Sequence, residues 1–184
     1  GAAMKCSATA LEGVFLIEPQ VFEDERGFFY ESFNAQRFRD ATGLAPDFVQ
    51  DNHSRSRRGV VRGLHYQVKV PQGKLVRVIA GSVYDVVVDL RRSSPSFGRW
   101  TGAELSSDNR RQLWVPPGFA HGFVTLSEHA ECLYKTAGYW SPQHERTLLW
   151  NDPALAIEWP LPCAPILSPK DLAGTPLAAA EVFA

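Results

Sequence analysis

The sequence predicts an all-β fold, and a jelly-roll or similar barrel in particular. Glycine and proline recur every several residues, and the short runs between them are rich in Val, Ile, Leu, Phe and Tyr, which is typical of many brief strands. Many short antiparallel strands leave edges that must be covered, and a barrel covers them better than an open sheet does. A chain of 184 residues has the size of one domain.

Several segments have the length and composition of strands. They are Val14 to Glu18, Gly27 to Phe33, Leu75 to Ala80, Ser82 to Leu90, Arg99 to Leu105, Gln112 to Val115, Gly122 to Leu126 and Ala130 to Ala137. In Ser82 to Leu90 apolar residues dominate both faces, which predicts a central strand covered on both sides. Asp85 and Asp89 lie on one face of that strand because side chains alternate with a period of two.

Helix is predicted only in short peripheral pieces. Asn34 to Thr42 has a capping residue at its start and is followed by Gly43, which favours a helix end. The chain after Asn151 is rich in Pro and Ala, which predicts an irregular tail with one helical turn over Ser168 to Leu172. We interpret Gly1 to Ala3 as an expression scar, so that residues 4–184 form a single domain.

Composition and charge narrow the classes of function. The 19 basic and 20 acidic side chains give a formal charge of −1, which argues against nonspecific nucleic-acid binding. Arg55, Arg57 and Arg58 lie in a Ser/Arg/Gly segment that predicts a solvated loop. Three cysteines without C-x-x-C spacing favour a reducing cytoplasm. No apolar run approaches the ~20 residues that span a bilayer, and no secretory signal is present, so no membrane association is expected.

Two segments place a histidine among turn residues at the ends of strands. The first is V-R-G-L-H-Y-Q, which contains His65, and the second is P-P-G-F-A-H-G-F, which contains His121. The second matches P-x-G-x-x-H, a motif of the cupin barrel in which the histidine helps to bind a metal. A metal-binding cupin also has H-x-H followed by Glu, whereas the chain has Gln67 two residues after His65, and Lys74 would repel a divalent ion. The missing ligands argue against a catalytic metal.

A metal-free pocket with these side chains suits proton transfer beside a carbonyl. A neutral imidazole removes the proton, a cation stabilises the enolate, and a phenol returns a proton. His65, Lys74 and Tyr134 are the available set, although each alone has an ordinary structural explanation. A carboxylate bonded to the other imidazole nitrogen would fix the tautomer of the base. The carboxylates available for this are Asp85, Asp89 and Asp171.

Ordered motifs along nearly the whole chain identify a family. They are Phe22 to Phe29, Phe48 to Ser54, Arg62 to Gln67, Gln72 to Arg77, Asp89 to Gly98, Pro116 to Phe123, Leu133 to Lys135, Trp150 to Asp152 and Leu167 to Asp171. The chain resembles the dTDP-4-dehydrorhamnose 3,5-epimerase family of the cupin superfamily. The resemblance implies a cupin-type jelly-roll barrel with a few short peripheral helices, no cofactor, and conversion of dTDP-4-dehydro-6-deoxy-D-glucose to dTDP-4-dehydro-L-rhamnose, a step toward cell-surface rhamnose.

The resemblance also implies roles for the catalytic residues. His65 is the general base with Asp171 as its partner, Tyr134 is the acid on the opposite sugar face, and Lys74 stabilises the enolate. Asp85 and Asp89 then pair locally or support the site. A hydrogen bond to the Asp89 carboxylate near His65 is the alternative for that residue. Carbons 3 and 5 both lie beside the carbonyl, so one enolisation apparatus can in principle invert both centres without a redox cofactor.

The resemblance further implies the residues that bind the dTDP-4-keto-6-deoxy sugar. They are Phe22, Arg26, Glu31, Gln50, Asp51, Asn52, Arg62, Lys74, His121, Trp140, Glu145 and Lys170. Trp140 would stack on thymine at a position where tyrosine is also usual in the family. Tryptophan has no phenol hydroxyl, so a hydrogen bond from that hydroxyl would be lost there. His53 could also touch the site. A homodimer is implied as well.

Three alternatives remain open from the sequence. A relative that inverts carbon 3 alone would carry the same motifs. A metal-dependent cupin oxygenase would require a stoichiometric ion, and a sugar-nucleotide-binding module without catalysis would bind dTDP but exchange no solvent hydrogen into a 4-keto sugar. The intact set of His65, Lys74 and Tyr134 argues against the binding module.

Overall fold

The computed structural model describes residues 3–184 and shows a chain built almost wholly of strands. The strands are β1 (Lys5–Ala8), β2 (Phe15–Glu18), β3 (Phe22–Asp24), β4 (Gly27–Phe29), β5 (Gln50–Arg57), β6 (Val61–Gln67), β7 (Gly73–Ala80), β8 (Ser82–Asp89), β9 (Trp100–Ser106), β10 (Gln112–Val115), β11 (Phe119–Thr125), β12 (His129–Ala137) and β13 (Glu145–Thr147). The helices are α1 (Ala35–Thr42) and α2 (Pro169–Leu172), with 3₁₀ turns at Pro142–His144 and Leu177–Ala179. The predicted all-β fold with short peripheral helices is confirmed.

Two antiparallel sheets face each other and form the barrel. One has the order β1-β2-β10-β7-β12-β5, the other β13-β6-β11-β8-β9, and β3 pairs only with β4 in a separate ribbon. Side chains that point inward from both sheets make the main core, including Val76 of β7, Val87 of β8 and Phe123 of β11. Burying each such side chain contributes about 1.5–3 kcal/mol, so the two sheets hold each other in place.

The outer face of the five-stranded sheet is covered by the end of the chain. Leu64, Val86 and Val88 are fully buried there, and Val182 and Phe183 pack against the same cluster. Strand β8 lies between β11 and β9 and is covered on both faces, which confirms the prediction of a central strand. The tail therefore contributes to the stability of the sheet as well as carrying α2.

All of the predicted strands exist, with shifted ends, but other strands were missed. The run predicted over Gly27 to Phe33 ends at Phe29, and β1, β3, β5, β6 and β13 were not predicted. Strand β5 reads Q-D-N-H-S-R-S-R and has no apolar residue, so composition gives no signal for it. Arg55 and Arg57 lie on this strand, so the prediction of a loop there was wrong for those two residues.

Local sequence explains both helices. The Asn34 side chain accepts a hydrogen bond from the Arg37 N–H, and Gly43 ends α1 with φ 76°, a left-handed conformation that glycine adopts without strain. In α2 the Ser168 side chain accepts from the Asp171 N–H and Pro169 occupies the first turn. Both helical predictions are confirmed, and the Ser168 cap fixes the position of Asp171.

The ribbon of β3 and β4 leaves apolar side chains in contact with solvent. Phe22, Phe28 and Phe29 are 50%, 59% and 70% exposed. Gly1 and Ala2 of the predicted expression scar lie outside the described residues, whereas the N–H of Ala3 donates to Gln20. Across residues 3–184, no helix has the length and apolar character needed to cross a membrane.

Candidate active site

A cavity of about 210 Å³ opens at one end of the barrel interior. Residues from both sheets and from the loops that connect them line this cavity. They are Gln50, Asn52, His65, Tyr66, Gln67, Gln72, Lys74, Tyr134, Trp140 and Glu145. The main apolar core packs against this cavity, since Tyr134 contacts both.

His65 and Asp171 meet at this end of the barrel. His65 lies on β6, and its Nε2 is 2.7 Å from Oδ1 of Asp171, while Oδ2 of Asp171 accepts a hydrogen bond from the N–H of Gly63 at 3.1 Å. Burial alone would raise the pKa of Asp171, but the bonds from His65 and Gly63 outweigh it and lower that pKa. An ionised Asp171 holds the proton on Nε2 and leaves Nδ1 of His65 to act as a base.

Tyr134 and Lys74 enter the cavity from the facing sheet. Tyr134 lies on β12 and Lys74 on β7, and the Lys74 ammonium is 5.8 Å from the centre of the Tyr134 ring. Burial lowers the pKa of Lys74 to about 8, with Glu145 and Asp85 opposing that shift. Burial raises the pKa of Tyr134, although the Asn52 side chain opposes it. At neutral pH the cavity therefore holds an ammonium and a protonated phenol opposite the imidazole.

Trp140 lines the cavity and is 57% exposed. Its indole N–H donates to Oε2 of Glu145 at 2.9 Å, and its backbone N–H donates to Oε1 of Gln50 at 3.1 Å. Lys170 reaches the same Oε2 of Glu145 at 3.1 Å. Burial alone would raise the pKa of Glu145, but its bonds with Trp140 and Lys170 lower it.

Four further residues assigned to substrate binding do not line the cavity: Lys170, which pairs with Glu145, and His121, Arg62 and Asp51. His121 is buried and its Nε2 is 2.7 Å from Oδ1 of Asp85. Arg62 is exposed and donates to Oγ of Ser56 at 2.8 Å, and Asp51 forms an ion pair with Lys135 at 3.0 Å. His121 is nevertheless the direct partner of His65 in the pairing of β11 with β6, so it lies beside the base.

Phe22, Arg26 and Glu31 also lie away from the cavity of their own chain. Phe22 is on β3, and Arg26 is in the turn of the ribbon, where its guanidinium pairs with Asp24. Glu31 accepts a hydrogen bond from the Asn34 side chain at 2.6 Å near the start of α1. The structure therefore brings together the four residues predicted to be catalytic but leaves these three residues on the ribbon and the segment that follows it.

Some expectations about histidines and carboxylates were wrong. His65 and His121 lie inside β6 and β11 rather than at strand ends. Asp89 does not bond near His65: its carboxylate accepts from Arg91 and Ser94 in the turn after β8.

His53 and three lining residues complete the comparison with the sequence predictions. His53 is exposed and pairs with Glu131 instead of touching the site. Tyr66, Gln67 and Gln72 line the cavity but were not predicted to do so, although all three fall within the family motifs and so carried a signal.

The residues near His65 do not fit the metal of other cupins. Gln67 stands where the second histidine of the H-x-H motif is expected, and both ends of its amide bond to backbone groups: Nε2 donates to Val70 O and Oε1 accepts from Ser141 N. Across residues 3–184, no three or more His, Cys, Asp or Glu side chains are grouped so as to hold a metal ion.

Comparison with known proteins gives one consistent answer. The profile of the family described as dTDP-4-dehydrorhamnose 3,5-epimerase matches residues 8–179. The chain belongs to this family. The dTDP-4-dehydrorhamnose 3,5-epimerase of Pseudomonas aeruginosa is 59% identical over 180 residues, which cover 98% of this chain and 99% of the relative.

Solved structures of family members have the same fold. The dTDP-6-deoxy-D-glucose-3,5-epimerase of Legionella pneumophila, in complex with dTDP-4-keto-L-rhamnose, superposes with a TM-score of 0.94 at 50% identity and covers 97% of this chain and 95% of that one. A 3'-monoepimerase of Streptomyces bikiniensis, in complex with dTDP-quinovose, has a TM-score of 0.87 at 33% identity, with coverage of 92% and 86%. The predicted cupin-type jelly roll is therefore confirmed.

Proposed function

We propose that this epimerase-family isomerase converts dTDP-4-dehydro-6-deoxy-D-glucose to dTDP-4-dehydro-L-rhamnose. The observation that carries the proposal is one cavity that His65, bonded to Asp171 of α2, enters from one sheet and that Tyr134 and Lys74 enter from the other. The name and 59% identity of the Pseudomonas relative support inversion at both carbons. The product named in the Legionella complex is the one expected here.

The proposed reaction begins with removal of a proton from carbon 5 or carbon 3. Nδ1 of His65 takes the proton, and the electron pair of the C–H bond moves to the 4-keto oxygen to give an enolate. The Lys74 ammonium stabilises the negative oxygen, and Asp171 stabilises the imidazolium. Because Asp171 accepts from both His65 and Gly63, it keeps the imidazole oriented during the transfer.

Tyr134 completes each inversion from the other face of the sugar ring. Its O–H donates a proton to the same carbon, the carbon–carbon double bond of the enolate is lost and the ketone reforms. His65 then releases its proton to solvent and the tyrosinate takes one up, so the enzyme returns to its starting state. The raised pKa of Tyr134 keeps the phenol protonated at neutral pH, as an acid must be.

Other residues would hold the nucleotide. Trp140 offers an exposed aromatic face for the thymine, and the cations of Arg62 and Lys170 suit diphosphate oxygens. We place the enzyme in the cytoplasm, a location supported by free thiols at Cys6, Cys132 and Cys163. Residues 4–184 would form the single catalytic domain.

We also propose that the enzyme is a homodimer in which the ribbon of β3 and β4 contacts the second copy. The exposed phenylalanines of the ribbon would be buried there, and a soluble monomer rarely leaves such side chains together in water. The contact would also give Phe22, Arg26 and Glu31 a route to a cavity that they do not reach in their own chain. Sedimentation of the protein and of a Phe28→Ser, Phe29→Ser variant tests this, with a monomeric wild type as the contradicting result.

The decisive test is deuterium incorporation in D₂O. Metal-stripped protein is incubated with dTDP-4-dehydro-6-deoxyglucose, and NMR follows label at carbons 3 and 5. We expect label at both carbons and the L-rhamno product. Label at carbon 3 alone would identify a single-centre epimerase. A stoichiometric bound metal ion whose removal abolishes turnover would replace the proposal by a metal-dependent mechanism. No label in any preparation would leave only binding.

The Tyr134→Phe variant is the internal control for this test. It keeps the ring and removes the acid, so His65 can still remove and return a proton on one face while inversion fails. We expect label to enter with little product formed. Equal loss of label and product would contradict the role given to Tyr134.

A further inference from the structure

The loop that carries Trp140 is attached to the strand that carries the base. We call residues Gly138–Ser141 the Trp140 loop. The Gln67 side chain on β6 accepts a hydrogen bond from the N–H of Ser141 at 2.8 Å, and its Nε2 lies 3.4 Å from the carbonyl oxygen of Tyr139. The same Nε2 donates to the carbonyl of Val70 at 2.8 Å. One amide therefore bonds to both neighbours of Trp140 in the chain.

Burial makes this amide a fixed support. Gln67 is 4% exposed, and its donor and acceptor atoms both have partners, so its rotamer is determined. His65 lies two residues earlier on β6 and faces the same side of the sheet. The position of the Trp140 loop is thereby tied to the position of the catalytic imidazole.

The ring of Trp140 has little packing to hold it in place. The residue is 57% exposed; its ring bonds to Glu145 through the indole N–H, whereas the bond to Gln50 comes from the backbone N–H. Without the Gln67 bonds, the N–H of Ser141 and the carbonyl of Tyr139 would lose a buried partner, and the backbone at Trp140 would keep its bond to Gln50 near the surface. A stacking surface binds a base more tightly when its orientation is fixed before the base arrives, because less conformational entropy is lost on binding.

We propose that Gln67 is a positioning residue for nucleobase recognition: it holds the Trp140 loop so that the indole ring is already oriented for the base of the bound nucleotide. This inference rests on the proposed function. In other cupins the residue at the position of Gln67 binds a metal. Here the neutral amide of Gln67 on β6 would hold the Trp140 loop instead.

The test compares a ligand that has a base with one that lacks it. Calorimetry measures the Kd of dTDP and of inorganic pyrophosphate for the wild type, for Gln67→Met and for Asn109→Leu. Asn109 is the matched control because its amide also bonds to three backbone groups, in a turn away from the cavity. We expect Gln67→Met to weaken dTDP binding by about fivefold to tenfold with pyrophosphate unchanged, and Asn109→Leu to change neither.

A double-mutant cycle distinguishes positioning from general damage. If Gln67 acts through Trp140, Gln67→Met will weaken dTDP binding in the wild type but not in a Trp140→Ala background. In kinetics the single variant should raise KM with a smaller effect on kcat. Equal weakening of dTDP and pyrophosphate, or additive effects in the cycle, would overturn the inference. Failure of the wild type to prefer dTDP over pyrophosphate would instead count against the proposed function.

A thermal melt covers the case in which Gln67→Met fails to fold. Gln67→Glu is then used, because it keeps an acceptor for Ser141 and loses the donors, while the negative charge that it adds repels both anionic ligands and so cancels in their ratio. For this variant, too, we expect the Kd of dTDP to rise relative to the Kd of pyrophosphate. An unchanged preference for dTDP over pyrophosphate in a folded Gln67→Glu protein would also contradict the inference.

Discussion

His65 and His121 lie on neighbouring strands of one sheet, and each is bonded to a carboxylate at the same distance, yet the surroundings of the two pairs differ. His65 with Asp171 and His121 with Asp85 are both joined from Nε2 to Oδ1 at 2.7 Å. The His65 side chain is 31% exposed and lines the cavity, whereas that of His121 is 8% exposed. The distance within the pair therefore does not identify the base, and access to the cavity does.

The two carboxylates differ as well. Asp171 uses both oxygens, one for His65 and one for the N–H of Gly63. Asp85 is fully buried on β8, and within residues 3–184 its Oδ2 has no hydrogen-bond partner. A buried carboxylate oxygen without a partner lowers stability, so the pair with His121 must hold Asp85 in place. The first pair therefore has the access to the cavity that proton transfer requires, and the second does not.

The largest expected effect separates the pairs by activity. His65→Ala should lower kcat by about 10³-fold, because the general base is lost, while the Kd of dTDP stays within about twofold. Steady-state kinetics with calorimetry measures both. His121→Ala is the comparison, and we expect it to change KM or stability more than kcat. A folded His65→Ala protein with near-normal turnover would refute the assignment of the base.

Lys74 lines the cavity with His65, and the charge of Asp85 acts on it, so its titration should make kcat/KM depend on pH. Burial lowers the pKa of Lys74 to about 8, so kcat/KM should decline above about pH 8 as the ammonium that stabilises the enolate is lost. Lys74→Met should lower kcat/KM by about 10²-fold and abolish this alkaline limb. A pH–rate profile from pH 6 to 10 would measure it, and a wild-type profile flat to pH 10 would contradict the role.

The same lysine affects stability with a definite sign. Its pKa in the folded protein, about 8, lies below the value of about 10.4 in an unfolded chain. Between these values the unfolded state binds more protons, so the contribution of Lys74 to the free energy of unfolding rises with pH. The unfavourable burial of the ammonium is fully present below pH 8 and is relieved by about pH 10.

Removal of each carboxylate should separate the pairs by stability. Asp85→Ala leaves His121 buried without its partner, and we expect the free energy of unfolding to fall by about 3 kcal/mol. Asp171→Ala should cost about 1 kcal/mol because water can reach His65 through the cavity. Urea unfolding of both variants, with constant m-values, makes the comparison. Equal losses would show that burial does not distinguish the pairs.

The smallest effect is expected at a third pair on the outside of the barrel. His53 and Glu131 are 2.9 Å apart, but their side chains are 52% and 34% exposed. Glu131→Gln should change the free energy of unfolding by less than about 0.5 kcal/mol and leave turnover unchanged, because water screens this contact. A larger loss in urea unfolding would mean that the contact matters in spite of its exposure.

The sequence predicted the core strands better than the strands that build the cavity. An apolar run such as the one that forms β8 can be predicted as a strand from its composition. By contrast, β5 is polar throughout and β6 is interrupted by Gly63. Strand pairing with β12 makes β5 a strand, and no local pattern can report a partner so far along the chain. Tertiary hydrogen bonds therefore override local composition at the edges of the sheets.

The candidate site was predicted from motifs, and its geometry was not. His65 and Asp171 are 106 residues apart in sequence, so spacing alone cannot show that they touch. Resemblance to the family gave the pair, and the structure gave the atoms and the burial that distinguish it from His121 and Asp85. Gln67 was noticed only as a missing ligand, because its partners are backbone groups of a loop that sequence does not bring near β6.

The position of Asp171 after all the strands has a consequence for how the protein is made. The ribosome delivers the chain from its N-terminus, so β1 to β13 leave it before α2 does. A nascent chain can thus assemble the sheets and the imidazole before the carboxylate arrives. Premature termination before α2 would yield a product that retains Trp140 and Glu145 but has no carboxylate beside His65. The carboxylate that orients His65 is therefore among the last parts of the site to be synthesised.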